Sequence, residues 1–335
     1  MRYAKIGGES GLTVSVVAMG TMSVAAGAMH AAVDESLALT TLCAAVDAGI
    51  NFFDTAPGYG KGESEARLGK ALASNPGMRE KIVLATKASG PSLVRADVIA
   101  ECEASLERLR TDVIDLFQIH WPSRATPLDE TLDAMLSLQK SGKVRYLGMC
   151  NFGPLDLAEA LARVAVLTDQ VNYSLLARGA EFALLPLCIE RDVGLLCYSP
   201  LAQGLLTGRY TDFEQLPADR CRSRQFDGKR PGSRHGEAGC EAETLQAMNA
   251  IRQIAAEQNI AMADLAVAWL LRQRGVRAVL CGASTPAQVH ANARAADVVL
   301  SDAVVEQLAA ATAPVKQKMG DNLDPWQGAG NSRIR

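Results

Sequence analysis

The chain has 335 residues, 48% of them hydrophobic and 21% charged, with a formal net charge of −3. That is ordinary for a soluble globular protein with room for one large core. No apolar run approaches the roughly 20 residues that span a bilayer, and the N-terminal MRYAKIGGES lacks the pattern of an export signal, so no membrane partner and a cytoplasmic location are expected.

The chain opens on a short hairpin, Tyr3 to Ile6 with Leu12 to Val14 across GGESG. It then alternates. The strand-like runs VSVVAMG, INFFDTA, KIVLATK, VIDLFQIH, VRYLGMCN, DQVNYS, GLLCYSP and AVLCGAS begin near residues 14, 50, 81, 113, 144, 169, 194 and 278. Between them lie segments of helical spacing. In RADVIAECEASLERLR the residues Val98, Cys102, Leu106 and Leu109 form one apolar stripe with charges opposite. Gly49 and Gly142 stand where helix C-caps belong. Eight strands alternating with helices give the count of a (β/α)8 barrel. A doubly wound open sheet shows the same alternation, but no GxGxxG follows the first strand. The expectation is one barrel domain over residues 1–335 with two excursions. One is the long loop 201–240, expected to cover a cofactor; the other is the tail after Ser301, whose residues 313–335 are expected near the substrate site.

Eight cysteines without a CxxC pair and four scattered histidines give no basis for a disulfide framework, zinc site or metal cluster. One charge anomaly stands out, DRCRSRQFDGKRPGSRH, with Arg220, Arg222, Arg224, Lys229, Arg230 and Arg234. A solvated loop explains it, or a contact for a small anion. Nucleic acid fits poorly because aromatics are nearly absent there.

A barrel's active site lies at the C-terminal ends of its strands. The second predicted strand ends on Asp54, the third on Lys87, the fourth on His120 and the fifth on Asn151. The sixth carries Gln170 and Asn172, the seventh ends on Ser199 and the eighth on Ser284. A lone polar strand end is usually just solvated. Asp, Lys and His on three successive ends, with Tyr59 in a tight Gly/Pro loop beyond the first, form a constellation. Tyr59 is a weak acid; a neighbouring Lys87 ammonium is expected to lower its pKa, and Asp54 to hold that lysine charged and in place. His120 is placed to hydrogen-bond and orient a substrate oxygen. The set suits protonation of a carbonyl oxygen as something attacks its carbon. None of these side chains donates hydride, so a cofactor must supply the reducing equivalents.

From the opening hairpin to about Asn292 the chain resembles the aldo-keto reductases. The likeness rests on GTM at 20 to 22, NFFDTAPGYG, LATK, DLFQIHWP, GKVRYLGMCNF, DQVNYS, YSPLAQGLLTGRY and GASTPAQVHAN. It implies that Asp54, Tyr59, Lys87 and His120 are the catalytic four and that the cofactor is NADP(H), with NAD(H) as an alternative. By position it implies Gly20, Thr21, Met22 and Asp54 beside the cofactor, Tyr198 stacked on the nicotinamide, and Cys150, Asn151 and Gln170 at its carboxamide. Ser199, Pro200, Leu201, Gln203 and Gly204 would face the pyrophosphate with Arg209, and Gly282, Ser284, Gln288 and Asn292 the adenosine end. As a bare sequence, LAQGLLTG is only a flexible glycine loop, though one after a barrel's seventh strand commonly binds phosphate.

Two positions depart from the family pattern: Cys150 replaces a common serine, and Ser284 stands where an arginine often meets the 2′-phosphate. The cation-rich loop is expected to compensate by closing over the adenosine end. Trp121 and Trp326 are offered as apolar walls of the substrate site, beside Tyr59 and His120. The expected activity is NADPH-dependent reduction of an aldehyde or ketone. The alternatives are a cofactor-sensing regulatory subunit on the same scaffold, or a barrel isomerase or lyase without nicotinamide.

Overall fold

The computed structural model describes residues 1–8, 11–25, 33–90 and 92–335. The opening hairpin pairs β1 (Tyr3–Ile6) with β2 (Leu12–Ser15), Ile6 opposite Leu12; the Glu9–Ser10 part of its turn lies outside the described residues. In chain order there follow β3 (Val17–Gly20), α1 (Glu35–Asp47), β4 (Phe52–Asp54), α2 (Glu63–Ser74), β5 (Val83–Ala88), α3 (Arg95–Leu109) and β6 (Ile114–Ile119). Next come α4 (Leu128–Lys140), β7 (Val144–Cys150), α5 (Pro154–Leu161), β8 (Thr168–Asn172), α6 (Leu184–Glu190) and β9 (Gly194–Tyr198). The chain finishes with α7 (Glu241–Glu257), α8 (Met262–Leu271), β10 (Val276–Gly282), α9 (Pro286–Ala295), α10 (Asp302–Ala311) and α11 (Ala313–Met319). Strands β3 to β10 form a closed parallel barrel, β10 pairing with both β9 and β3. Among the described residues no single helix is long and apolar enough to cross a membrane.

All eight expected barrel strands are present. The first is the exception in detail, because VSVVAMG splits at Val16: its start finishes the hairpin and Val17–Gly20 enters the barrel. The tail also differs from a bare excursion, since residues 302–319 form α10 and α11, and only from Gly320 does the chain run irregularly.

Strand alternation sets what the barrel contains. Ala18, Phe52, Ala85, Leu116, Leu196, Ala278 and Leu280 form one buried cluster inside it, sealed from below by Ile6, Leu12 and Val14 of the hairpin. Two residues further along each strand the same alternation reaches Gly20, Asp54, Lys87, Gln118, Tyr198 and Gly282. A dry apolar floor therefore lies directly beneath a polar layer. The stripe Val98, Cys102, Leu106 and Leu109 of α3 is buried against the outside of the barrel.

Helices α2 and α3 approach unusually closely at Gly69, where a Cβ would lie 2.1 Å from the Arg108 carbonyl oxygen. Gly→Ala inside a helix ordinarily stabilises by about 1 kcal/mol. Here the clash with rigid backbone should reverse the sign, and Gly69→Ala is expected to destabilise by about 2–3 kcal/mol. A urea midpoint equal to or above that of the wild type would show that the two helices can separate freely.

Candidate active site

The polar layer is organised by Lys87, whose side chain is fully buried. Its ammonium has three N–H groups and three acceptors: Asp54 Oδ2 at 2.6 Å, the Thr55 carbonyl at 2.9 Å and the Tyr59 hydroxyl at 3.2 Å. Asp54 is equally satisfied, since its Oδ1 accepts from Gln170 Nε2 at 2.8 Å and from Gln118 Nε2 at 3.1 Å. Burial alone would push the Lys87 pKa down, but the Asp54 carboxylate and the groups around it outweigh that and hold it above the ordinary lysine value. The ammonium stays charged.

Tyr59 reaches this pair because its loop is stapled to the barrel rim. The backbone turns through left-handed Gly60, Lys61 and Gly62 and enters α2, where the Ser64 hydroxyl meets Thr21 Oγ1 at 2.7 Å and Thr55 Oγ1 at 2.9 Å. Thr21 in turn donates to the Asp54 carbonyl at 2.9 Å. Since Lys87 donates to the phenol oxygen and cannot accept, the Tyr59 proton is left for another acceptor.

The expected fall in the Tyr59 pKa does not occur. Burial raises it and Lys87 offsets only part of the rise, leaving the phenol at about 12. His120, just past β6, has its ring edge-on to Tyr59 with centroids 6.0 Å apart. Burial first, then the charges of Lys87 and Arg333, lower its pKa to about 3, so the imidazole is neutral.

The residues assigned to a carboxamide are joined to one another. Tyr198 donates to Asn151 Oδ1 at 2.8 Å, Asn151 Nδ2 donates to the His120 carbonyl at 3.0 Å, and Cys150 Sγ lies 3.7 Å from Gln170 Oε1. Each amide carbonyl keeps a second lone pair, an acceptor suited to an amide N–H. Beyond β9, Ala202, Gln203 and Gly204 take successive positive φ angles of 46°, 56° and 111°, a bend of the kind that makes anion-binding concavities. The Gln203 Oε1 there is buried without a partner. The Arg220 Nη1 lies 3.5 Å from the position of a Gly204 Cβ. These features fit a bound dinucleotide. Gly20 and Gly282 sit side by side on β3 and β10, with Met22 just beyond.

Arg209 is exposed, with its guanidinium 5.6 Å from the Tyr210 ring centroid. In the basic loop, Arg224 is buried and bound to Glu237 and to the carbonyls of Met319 and Asn322. Arg230 is paired with Glu241. These two cations pin the loop to the tail and to α7, and are not free to meet a phosphate. At the far end, Gln288 Oε1 accepts from the Ser284 backbone at 2.8 Å and lies 3.0 Å from its hydroxyl, while Asn292 donates to the Gly282 carbonyl at 3.1 Å.

The tail returns over the mouth. The Arg333 guanidinium stacks on Trp121 at 3.5 Å and binds Asp324 through Nε and Nη2, at 2.8 and 2.9 Å. Half-buried Trp326 is held by its backbone N–H to Asp324 Oδ1 at 3.0 Å. Sequence reasoning missed Gln118, although its place two residues before His120 puts it on the same interior row. It also missed Ser64, Ser89, Asp324 and Arg333, which carry no local signal.

The profile of the aldo/keto reductase family matches residues 16–313. The NADH-specific methylglyoxal reductase of Escherichia coli (strain K12) is 32% identical over 88% of this chain and 94% of its own. A probable voltage-gated potassium channel subunit beta of Oryza sativa subsp. japonica is 32% identical over 92% and 96%. Among solved structures, the glycerol dehydrogenase AKR11B4 from Gluconobacter oxydans superposes with a TM-score of 0.80 at 32% identity, covering 93% of this chain and 95% of that one. With the closed barrel and its hairpin already described, these likenesses make the chain a member of the aldo/keto reductase family, an oxidoreductase that uses a nicotinamide cofactor and acts on small carbonyl compounds.

Proposed function

We propose that the protein reduces an aldehyde or ketone to an alcohol, with Tyr59 as the general acid, His120 holding the carbonyl oxygen, and Lys87 and Asp54 acting through Tyr59. The observation that carries this is the single ammonium of Lys87, bound at once to Asp54 at 2.6 Å and to the Tyr59 hydroxyl at 3.2 Å. A bound nicotinamide dinucleotide supplies the hydride for the carbonyl carbon. As negative charge grows on the carbonyl oxygen, that oxygen becomes a far stronger base than a phenolate. A phenol held at about 12 is therefore protonated at rest and still surrenders its proton to it. The phenolate left behind is stabilised by the ammonium already in contact with it, an interaction stronger in the transition state than in the ground state.

For the cofactor, Tyr198 presents the ring for stacking, with Cys150, Asn151 and Gln170 at the carboxamide. The bend of Ser199, Pro200, Leu201, Gln203 and Gly204, with Arg209 and Arg220, would hold the pyrophosphate, and the rest of the loop 201–240 would cover the cofactor. Ser284, Gln288 and Asn292 offer the adenosine end neutral hydrogen-bonding groups. With Arg224 and Arg230 committed to carboxylates, strong selection for the 2′-phosphate has lost two of its expected cations. NADPH and NADH are then expected to bind within about tenfold of each other. Cofactor titrations by tryptophan fluorescence decide it, and a hundredfold preference for either would reject this account. Trp121 and Trp326 form the apolar walls of the substrate site.

The likeness to the potassium channel subunit favours a second reading, a cofactor-sensing subunit with little turnover. A carbonyl panel followed by loss of NADPH or NADH absorbance separates the two. On the main reading, Tyr59→Phe should lower kcat by about 10²–10⁴-fold with cofactor affinity nearly unchanged. A variant retaining more than about a tenth of wild-type turnover would exclude Tyr59 as the acid. Lys87→Met should abolish turnover as well. It also strips the buried Asp54 of the cation it is paired with, so a stability loss of about 3 kcal/mol is expected; an unchanged melting curve would mean that water reaches the pair.

A further inference from the structure

The geometry points to Ser89 as a positioning residue that fixes His120 in its Nε2–H tautomer, with Glu101 holding Ser89 in place. The inference rests on the reading above, in which His120 holds the carbonyl oxygen. A carbonyl oxygen only accepts hydrogen bonds, so the imidazole must present an N–H to it. A neutral imidazole carries one proton on either of two nitrogens, and the partner of one nitrogen decides the other.

Burial, and then the charges of Lys87 and Arg333, disfavour a charged His120, so the choice of tautomer is real. The Ser89 hydroxyl lies 2.6 Å from His120 Nδ1. If Ser89 donates, Nδ1 is the acceptor and the proton resides on Nε2. If Ser89 accepts, its own proton is left over and Nε2 can only accept, which repels a carbonyl oxygen. Among the described residues the Ser89 hydroxyl has no other acceptor, so donation to Nδ1 satisfies both groups.

Ser89 lies at the exit of β5, immediately beyond Lys87 and Ala88. Glu101, on the second turn of α3, grips its backbone. Its Oε2 accepts from the Ser89 backbone N–H at 2.6 Å and from the Gly90 N–H at 3.1 Å. Burial raises the Glu101 pKa, and these two bonds only partly offset that effect, so the carboxylate is kept in a costly place where the work it does is to grip this turn. The strand that delivers Lys87 thus also delivers the residue that orients His120.

Nitrogen-15 NMR of histidine-labelled protein reads the tautomer directly, because protonated and bare ring nitrogens resonate far apart. His120→Gln assigns the signal among the four histidines. The wild type should show Nε2–H with Nδ1 bare, without cofactor or substrate. Ser89→Ala, at a half-buried loop position, should fold normally and show mixed tautomers, with kcat/KM lower on the order of tenfold and cofactor affinity unchanged. Ser89→Thr, which keeps the hydroxyl, should restore both, and Glu101→Ala should mix the tautomers as Ser89→Ala does. A wild-type ring protonated on Nδ1, or a tautomer indifferent to Ser89→Ala, overturns the inference whatever the activities. The reading beneath it fails separately, if His120→Gln leaves carbonyl reduction intact.

Discussion

The site depends on one ammonium kept charged where its side chain is fully buried. Taking an isolated lysine into such an interior would cost enough to deprotonate it. Lys87 survives as a cation because all three of its N–H groups have acceptors and one of these is a carboxylate. The carboxylate is itself buried, and two glutamine amides saturate its other oxygen. Gln118 and Gln170 come from strands β6 and β8, Asp54 from β4 and Lys87 from β5. The closed barrel is what brings four non-contiguous segments within hydrogen-bond range, and register is what aligns them, with Asp54 beside Ala85 and Lys87 beside Gln118.

That dependence explains the floor of the site. A charge pair gains from a low dielectric only if its hydrogen bonds are complete, and water leaking from below would dissolve the advantage. The hairpin residues Ile6, Leu12 and Val14 close the N-terminal end against Phe52, Leu116 and Leu196. The period-two alternation that buries those residues delivers the polar layer one step further along each strand. Core and site follow from the same pleat.

The pleat is also why so much was legible in the sequence. Strand runs, their polar ends and the Gly/Pro loop after Asp54 are local patterns, and local patterns fixed the barrel and the convergence of Asp54, Tyr59, Lys87 and His120. What escaped were contacts with no local signal. Ser64 meets Thr21 across 43 positions. Arg333 reaches Trp121 from the far end of the chain. The basic loop misled because composition counts cations without showing their partners: Arg224 and Arg230 face Glu237 and Glu241. The Tyr59 pKa went the other way because a sequence shows which charge is near and not how much water is lost. Here desolvation is the larger effect.

The same imbalance shapes what the site can do. Lys87 is neutralised by Asp54 and Arg333 by Asp324, while His120 is neutral because burial and those two cations leave it no room to charge. Around the mouth the cations nearest the imidazole are therefore compensated before any substrate arrives. Tyr59 is the exception, a neutral acid touching a cation that is already paid for by an anion on its other side. Proton loss from Tyr59 is the one charge change the site is arranged to welcome. That arrangement suits a reaction in which a neutral carbonyl oxygen becomes, briefly, the strongest base in the pocket.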